Sequence, residues 1–472
     1  ATWEYRLKAF KELGVNALRL AHNPHAPEVL EMCDRMGFFV IDEMYDKWEF
    51  RWSGESKYED FNKTCEEDLA YFIERDKNHP CVIAWSVGNE TYHQLRDPAE
   101  GSAIYRKLAD VVYSVDTTRD VTCGLHPGGS GSEIPSSFIQ VEPLVSYNYR
   151  TDSFATWHQQ HPEITWLASE TKAYNENRSD HFEDISYLDN SWMEMETFIA
   201  GQFIWSGIDY LGESGGWPYT TFNQGLLKTN AEIKPSAYYT QSIYSDKPMV
   251  KIVVVSKELA DSLNRETNKL KKWAGAPVVR HWNFDEGEML QVLLYTNCQE
   301  VEIELNDSTL VTLDKKSFDD GVIKTRVGYL AGKIHARAWY TDKAGTRTMV
   351  EDSILTAGKP AMILLQPDKT QMIADGSDVV HIRTSVTDTA GTTYPTADHM
   401  INYTVEGPGK IRVIDNGNPS DSTPYGSLQK RVFNGTQLVV IQSTLQPGDL
   451  TISASAAGLQ PARLKVQSIQ KD

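Results

Sequence analysis

Two kinds of hydrophobic periodicity divide the chain. Up to about residue 246, short continuous apolar runs alternate with segments whose apolar positions recur at three- and four-residue spacing. Trp3, Leu7 and Phe10, followed by Gly14, read as an amphipathic helix with a glycine stop. Ala17–Leu20 reads as a strand, and Pro27 with Val29, Leu30, Cys33 and Met36 as a helix ended by Gly37. Phe38–Ile41 is the next strand, and Phe61, Cys65, Leu69 and Phe72 line a helix stopped by His79-Pro80. The series continues with strand Val82–Ser86, a helix near 100–113, and strands Val121–Cys123 and Leu144–Tyr149. A helix near 153–160, strand Ile164–Ala168, a helix near 187–196 and strand Gly201–Ser206 complete it. Continuous apolar strands separated by helices specify a parallel sheet covered by helices. Seven strands are counted and the series opens on a helix. Closure as an eight-stranded β/α barrel therefore calls for one strand before Trp3. On that count residues 1–472 alone are expected to aggregate and to turn over weakly. An open doubly wound sheet needs no eighth strand, but no Gly-rich phosphate loop follows any strand here.

From about residue 278 the period changes to two. Met289–Tyr295, Glu300–Leu305, Ile334–Tyr340, Val379–Thr387, Ile401–Val405, Leu438–Ser443 and Leu450–Ala454 alternate, with turns at Asn306-Asp307, Ala390-Gly391 and Asn416-Gly417. This pattern predicts two immunoglobulin-like β-sandwiches, since one takes about 100 residues. The expected domains are a catalytic barrel over 1–246, a Lys-rich linker over 247–277, and sandwiches over 278–357 and 358–472. Nine of the twelve tryptophans precede residue 246, which puts the aromatic chemistry in the barrel. Trp282 and Trp339 are expected in sandwich cores.

With 46 basic and 65 acidic residues the net charge is −19, which argues against nucleic acid and anionic lipid as partners. No apolar run approaches the ~18–20 residues of a membrane span, and residues 1–15 read as a helix rather than a signal peptide. Cys33, Cys65, Cys81, Cys123 and Cys298 are odd in number with no CxxC pair. They fit buried hydrophobes rather than a disulfide framework or zinc site. Glycosylation sequons at Asn62, Asn89, Asn177 and Asn402 are read as coincidence.

Polar residues at strand exits face the mouth of a β/α barrel. The exits supply Arg19 and His22, Asp42 and Glu43, Asn89 and Glu90, Glu170, and then Trp205 and Asp209. Two glutamates from non-adjacent strands, with indoles beside them, suit glycosidic cleavage. One carboxyl protonates the leaving oxygen, the other attacks or stabilises the sugar carbon, and tryptophan stacks on the ring. A fixed cation such as Arg19 keeps a neighbouring carboxylate ionised, as a nucleophile requires.

Asn16-Ala-Leu-Arg-Leu-Ala-His22-Asn-Pro, Gly88-Asn-Glu90, Ser169-Glu170-Thr171 and Gly201-Gln-Phe-Ile-Trp-Ser-Gly-Ile-Asp-Tyr-Leu-Gly-Glu213 resemble glycoside hydrolase family 2, and within it β-galactosidases of Bacteroides type. His281-Trp-Asn283, Tyr295-Thr-Asn-Cys298, Thr356-Ala-Gly-Lys-Pro360 and Ala374-Asp-Gly376 resemble the sandwiches that follow the barrel there. The resemblance implies a retaining exo-β-glycosidase acting on oligo- or polysaccharide, with Glu90 as acid/base and Glu170 as nucleophile. It assigns Asn89 to the sugar 2-hydroxyl and places Arg19 and His22 beside the sugar subsite. Tyr149 would bond the nucleophile, with Tyr147 in reserve; Trp205 would form the platform, and Asp209 would bind sugar or hold the last loop. For a retaining pair the two carboxyls are expected about 5–5.5 Å apart. The resemblance also implies upstream domains, a bacterial source and a periplasmic or secreted location, and leaves homo-oligomerisation open.

Some family features fall on other residues. The magnesium-binding carboxylate and histidine of the best-known relatives align near Lys47 and Trp48, and a sodium-site Asn-Gly aligns with Gln224-Gly225. No essential metal or other cofactor is expected. Glucuronide-specific relatives carry Asn-x-Lys after the nucleophile, which Thr171-Lys172-Ala173-Tyr174 matches poorly, although Lys172 keeps a β-glucuronidase reading open. A non-catalytic carbohydrate-binding or scaffold fragment is the reading from another class.

Overall fold

The structure, a computed structural model, describes residues 1–470 apart from 50–60, 129–135, 172–196, 258–277, 319–320 and single positions at 92, 127, 140, 143, 213 and 215. The helix expected near 187–196, most of the linker, Lys172 and the Asn177 sequon lie outside the described residues. The chain forms two compact units. One comprises Val15–Ala173 and Asn190–Ser206, the other Ala1–Gly14, Tyr174–Asp189 and Gly207–Asp472.

Among its described residues the first unit holds seven strands: β1 (Ala17–Leu20), β2 (Phe39–Glu43), β3 (Val82–Asn89), β4 (Asp120–Gly124), β5 (Leu144–Asn148), β6 (Thr165–Thr171) and β7 (Ile199–Ile204). Every neighbouring pair of ladders is parallel, and a parallel bridge between Leu125 and Tyr147 joins β4 to β5. All seven strands expected from the apolar runs are present, in order. Between them lie α2 (Pro27–Met36), α3 (Phe61–Asp76), α5 (Pro98–Val115) and α7 (Phe154–Gln160), with α1 (Thr2–Glu12) in the other unit and short α4 (His93–Arg96) and α6 (Ser136–Ile139) in loops. Pro27 occupies the first turn of α2, and Gly37 closes it in the left-handed conformation at φ 68°, where glycine carries no Cβ penalty. The Asp97 carboxylate caps α5 by accepting the Glu100 amide at 3.0 Å.

The sheet curls on itself. Ile41 of β2, Ala84 of β3 and Leu167 of β6 share one buried cluster, with Leu144 and Phe203 packed against it. A flat sheet would hold β2 and β6 about 19 Å apart at ~4.8 Å per strand. These inward side chains form a layer of a barrel interior. The open doubly wound sheet is thereby excluded.

The second unit contains both sandwiches. In the first, Val250–Val255 pairs with Val278–Val279 and Met289–Thr296, and Met289–Thr296 with Ile323–Gly328. A second sheet runs Ser308–Asp314, Glu300–Leu305, Lys333–Thr341, Arg347–Leu355. The expected linker start at 247 therefore needs correction. Val250, Ile252 and Val254 alternate into the sandwich core beside Trp282 and Leu294, so the apolar run is a strand of this domain. Trp282 is in the core as expected, whereas Trp339 is half-buried under the Arg347 guanidinium. The second sandwich packs a four-stranded sheet on a five-stranded one around Val380, Ile401, Val439 and Ile452. The units also cut across the expected 1–246 domain. Tyr5 of α1 stacks on His381 with ring centroids 4.4 Å apart, and Phe10 occupies the space a Gly207 side chain would need. All five cysteines are buried and unbridged.

Candidate active site

The expected site residues of the first unit converge at the C-terminal ends of its strands. Three ladders shift register there, at Ser86/Asn89, Tyr147/Asn148 and Ala168/Thr171. Such irregularities re-aim side chains at strand ends. Glu90 and Tyr149 both have positive φ, 46° and 57°. That conformation is uncommon for residues with a Cβ and is characteristic of functional positions. It lets each leave its strand and still anchor its amide, Glu90 N–H to Gly124 O at 2.7 Å and Tyr149 N–H to Glu170 O at 2.8 Å.

Arg19 on β1 is the hub, its side chain only 3% exposed. Its Nε and Nη2 donate to Glu43 Oε2 at 2.9 and 2.7 Å. Its Nη1 donates to Glu170 Oε1 at 2.9 Å and to Ser169 O at 3.3 Å, and Nη2 also reaches Asn89 Oδ1 at 2.9 Å. All five guanidinium donors thus meet an acceptor, a set that lysine could not reproduce. A side chain at Gly124 would stand 3.0 Å from Asn89 Oδ1 and 3.1 Å from Arg19 Nη2, so the bare backbone there makes room for the hub.

Glu43 completes the support. Its Oε1 lies 2.6 Å from His22 Nδ1, and Ser86 Oγ donates to Oε2 at 2.6 Å. An ionised carboxylate only accepts, which assigns the Nδ1 proton to His22. Burial alone would raise the Glu43 carboxyl, but Arg19, His22 and Ser86 hold it below the ordinary value. His22 Nε2 then faces Glu170 Oε1 at 3.8 Å and the Asn89 amide at 3.5 Å. The His22 ring stacks on Trp205, centroids 4.8 Å apart at 21°.

The two glutamates have different surroundings. Glu170, its side chain 5% exposed, receives Arg19 and a hydrogen bond from the Tyr149 hydroxyl. Burial pushes its carboxyl above the ordinary value; Arg19, His22 and Tyr149 pull it down, and the nearby Glu90 charge pushes it up. Burial and the Glu170 charge keep Tyr149 a phenol, raised well above its usual value, and hence a donor. Glu90 accepts from Asn148 Nδ2 at 3.1 Å and lies 3.7 Å from Lys47 Nζ. Asn148 bridges the set, donating also to Asn89 Oδ1 at 3.1 Å and accepting Ser169 Oγ at 2.7 Å. Asn89 Nδ2 donates to Asp46 Oδ1 at 3.1 Å.

The two tyrosines have different surroundings. Tyr147 is fully buried; Gln94 donates to its hydroxyl at 3.0 Å and its ring packs on Trp157. Of the two, Tyr149 is the one whose hydroxyl bonds Glu170. Asp209 belongs to the second unit, where its Oδ1 accepts Lys234 Nζ at 2.7 Å and the Gly225 amide at 2.8 Å. A Cβ at Gly225 would come within 2.2 Å of the Asp209 amide, so the Gln224-Gly225 pair packs this turn. These contacts tie Asp209 to the last loop through Oδ1. Sequence reasoning placed Glu43 at a strand exit without giving it a role, and it missed Asn148 and Lys47 as site members.

The residues do not suit a divalent cation where the resemblance would put one. Lys47, at the aligned ligand position, places Nζ 2.8 Å from Asp46 Oδ1 and 3.3 Å from Asn89 O, where its charge repels a cation.

Residues 4–184 match the family described as glycosyl hydrolases family 2, TIM barrel domain, and residues 363–465 match glycoside hydrolase family 2 C-terminal domain 5. The chain belongs to glycoside hydrolase family 2. It is 30% identical to the β-galactosidase BoGH2A of Bacteroides ovatus, across 98% of this chain and 58% of that protein. A putative β-glucuronidase of Formosa agariphila is 26% identical across 96% of this chain and 45% of its own length. Among solved structures, a glycosyl hydrolase family 2 member from Bacteroides cellulosilyticus superposes with a TM-score of 0.87 at 30% identity, over all of this chain and 60% of that one. The chain thus spans less than two thirds of these relatives.

Proposed function

We propose that the barrel is the catalytic domain of a retaining exo-β-glycosidase that removes terminal non-reducing β-D-galactosyl residues. One observation carries the reading. Glu170 is fixed by the Arg19 guanidinium and the Tyr149 hydroxyl, while Glu90 approaches from another strand and shares neither partner. In the first step Glu170 attacks the anomeric carbon as Glu90 gives its proton to the glycosidic oxygen, so the C–O bond breaks and a glycosyl ester forms. In the second, Glu90 takes a proton from water, which displaces Glu170 and restores the carboxylate. His22 and Trp205 wall one side of the subsite, and the indole supplies a face for the sugar C–H groups.

The galactoside choice is supported by BoGH2A, the β-galactosidase 30% identical over nearly the whole chain. The putative β-glucuronidase relative supports the second reading, a β-glucuronidase. A panel of nitrophenyl β-D-glycosides separates them. Galactoside turnover at least tenfold above glucuronide supports the first, and the reverse order replaces it with the second.

A further inference from the structure

Lys47 sits where the family resemblance would lead one to look for a metal ligand, and the loop bearing it is locked to the loop bearing Glu90. Trp48 Nε1 donates to Val87 O at 2.7 Å, and the Asn89 amide donates to Asp46 O at 2.7 Å. A side chain at Gly88 would come within 2.6 Å of the Trp48 nitrogen, so glycine there lets the two loops seat together. The ammonium, its side chain 9% exposed, then has a fixed position: 2.8 Å from Asp46 Oδ1, 3.3 Å from Asn89 O and 3.7 Å from Glu90 Oε2.

We propose that Lys47 is the built-in cation of the acid/base, a positioning residue that acts through Glu90 in place of an exchangeable divalent ion. The proposal rests on the reading of Glu90 as acid/base. As the proton leaves Glu90 for the glycosidic oxygen, Glu90 passes from neutral to negative while the C–O bond breaks and the Glu170–carbon bond forms. A cation within 4 Å favours that charge most when the leaving group needs the proton most. Asp46 keeps the ammonium from swinging away, and Asn148 orients the other Glu90 oxygen. Trp48 cannot serve as a metal ligand, its indole nitrogen being a donor only.

The test compares aryl glycosides of graded leaving-group acidity in the intact enzyme, using the sugar it turns over best. Replacing Lys47 by Met should lower kcat/KM about tenfold for phenyl glycosides and less than about threefold for dinitrophenyl glycosides, within the ~10²–10⁴ of general acid catalysis as a whole. Lys47→Arg, which keeps the charge, should recover most of the loss, and neither EDTA nor added Mg²⁺ should change wild-type turnover. If Lys47→Met does not fold, Lys47→Gln is read the same way. Equal losses for both substrate classes, an arginine variant as impaired as the methionine one, or activation of the wild type by Mg²⁺ would overturn the proposal. Glu90→Gln measured on the same series separates the two levels. If it lacks a leaving-group-dependent loss, the acid/base reading and this proposal fall together; if it shows one and Lys47→Met does not, only the proposal falls.

Discussion

Arg19 Nη1 on β1 lies 2.9 Å from Glu170 Oε1 on β6, two strands that a flat sheet would hold about 24 Å apart at ~4.8 Å per strand. This ion pair links architecture to chemistry, because barrel closure delivers the cation to the carboxylate. It also explains the need for Glu43. A guanidinium shared between two carboxylates keeps Glu170 oriented while Glu43 carries the shorter contact, 2.7 Å from Nη2. Glu170 is buried and takes one guanidinium nitrogen instead of forming a closed pair.

Replacing Arg19 tests this sharing. Arg19→Met leaves Glu43 buried without its cation, and breaking a buried pair costs about 3–5 kcal/mol. The thermal midpoint should therefore fall by several degrees. Glu170, already above its ordinary value from burial, loses the charge that pulls it down. Activity needs the ionised nucleophile and is lost as pH falls through its pKa. The acid limb of kcat/KM should accordingly move to higher pH in Arg19→Met and return toward the wild-type position in Arg19→Lys, which restores the charge. An acid limb unchanged in Arg19→Met would mean Arg19 is structural only.

Tyr149→Phe removes one hydrogen bond to Glu170 and nothing from the barrel core. A hydrogen bond to a charged group is worth about 1.5–3 kcal/mol, so kcat should fall roughly 10–100-fold with little change in thermal midpoint. Tyr147→Phe, by contrast, should leave kcat within about threefold, since its hydroxyl meets Gln94. Steady-state kinetics on the two variants check the assignment.

Glu90 is tested by its leaving groups. Glu90→Gln should slow phenyl glycosides by roughly 10²–10⁴ and spare dinitrophenyl glycosides in the first step. Azide should then accelerate turnover of the activated substrates and yield the β-glycosyl azide. No azide product from a folded variant would speak against Glu90 as the base of the second step.

A separate prediction concerns stability. No donor among the described residues meets either oxygen of buried Asp42, and burial together with Asp76 pushes its carboxyl up to about 8. A proton on Asp42 lets it donate to Asp76, whose own charge is paired with Arg75. The folded value exceeds the unfolded value of ~3.9. This contribution to stability is therefore full below about pH 4 and is lost as pH rises through about 8. Asp42→Asn, which always donates, should flatten that slope, so its thermal midpoint gains on the wild type between pH 5 and 9. Parallel curves would contradict the protonated pair.

Much of this was legible in the chain. The seven apolar runs located the strands, with ends off by up to three residues, as at Val82–Asn89 and Thr165–Thr171, and strand exits named Arg19, Asn89, Glu90 and Glu170 because inward alternation and exit position are local properties. What escaped depends on closure. Which side chains meet Arg19 across the mouth is set by curvature and by the register shifts beside Asn89 and Asn148, and this hid the role of Glu43 and the place of Asn148. Strand alternation puts Tyr147 and Tyr149 on one face; the left-handed backbone at Tyr149, φ 57°, separates them. Asp209 has the composition of a site residue, and that Lys234 and Gly225 both meet its Oδ1 is a long-range contact the local pattern does not show. Val250–Val255 was visible as an apolar run and was masked by the Lys-rich stretch after it.

The central claim is that Glu170 forms a covalent bond to the sugar. Incubating the intact enzyme with a 2-deoxy-2-fluoro-β-D-galactosyl fluoride and mapping the adduct by peptide mass spectrometry tests it most directly. The account predicts time-dependent inactivation at one label per active site, carried by the peptide containing Ser169-Glu170-Thr171 and absent from Glu170→Gln. A label on another residue, or full labelling of the Glu170→Gln variant, would contradict it.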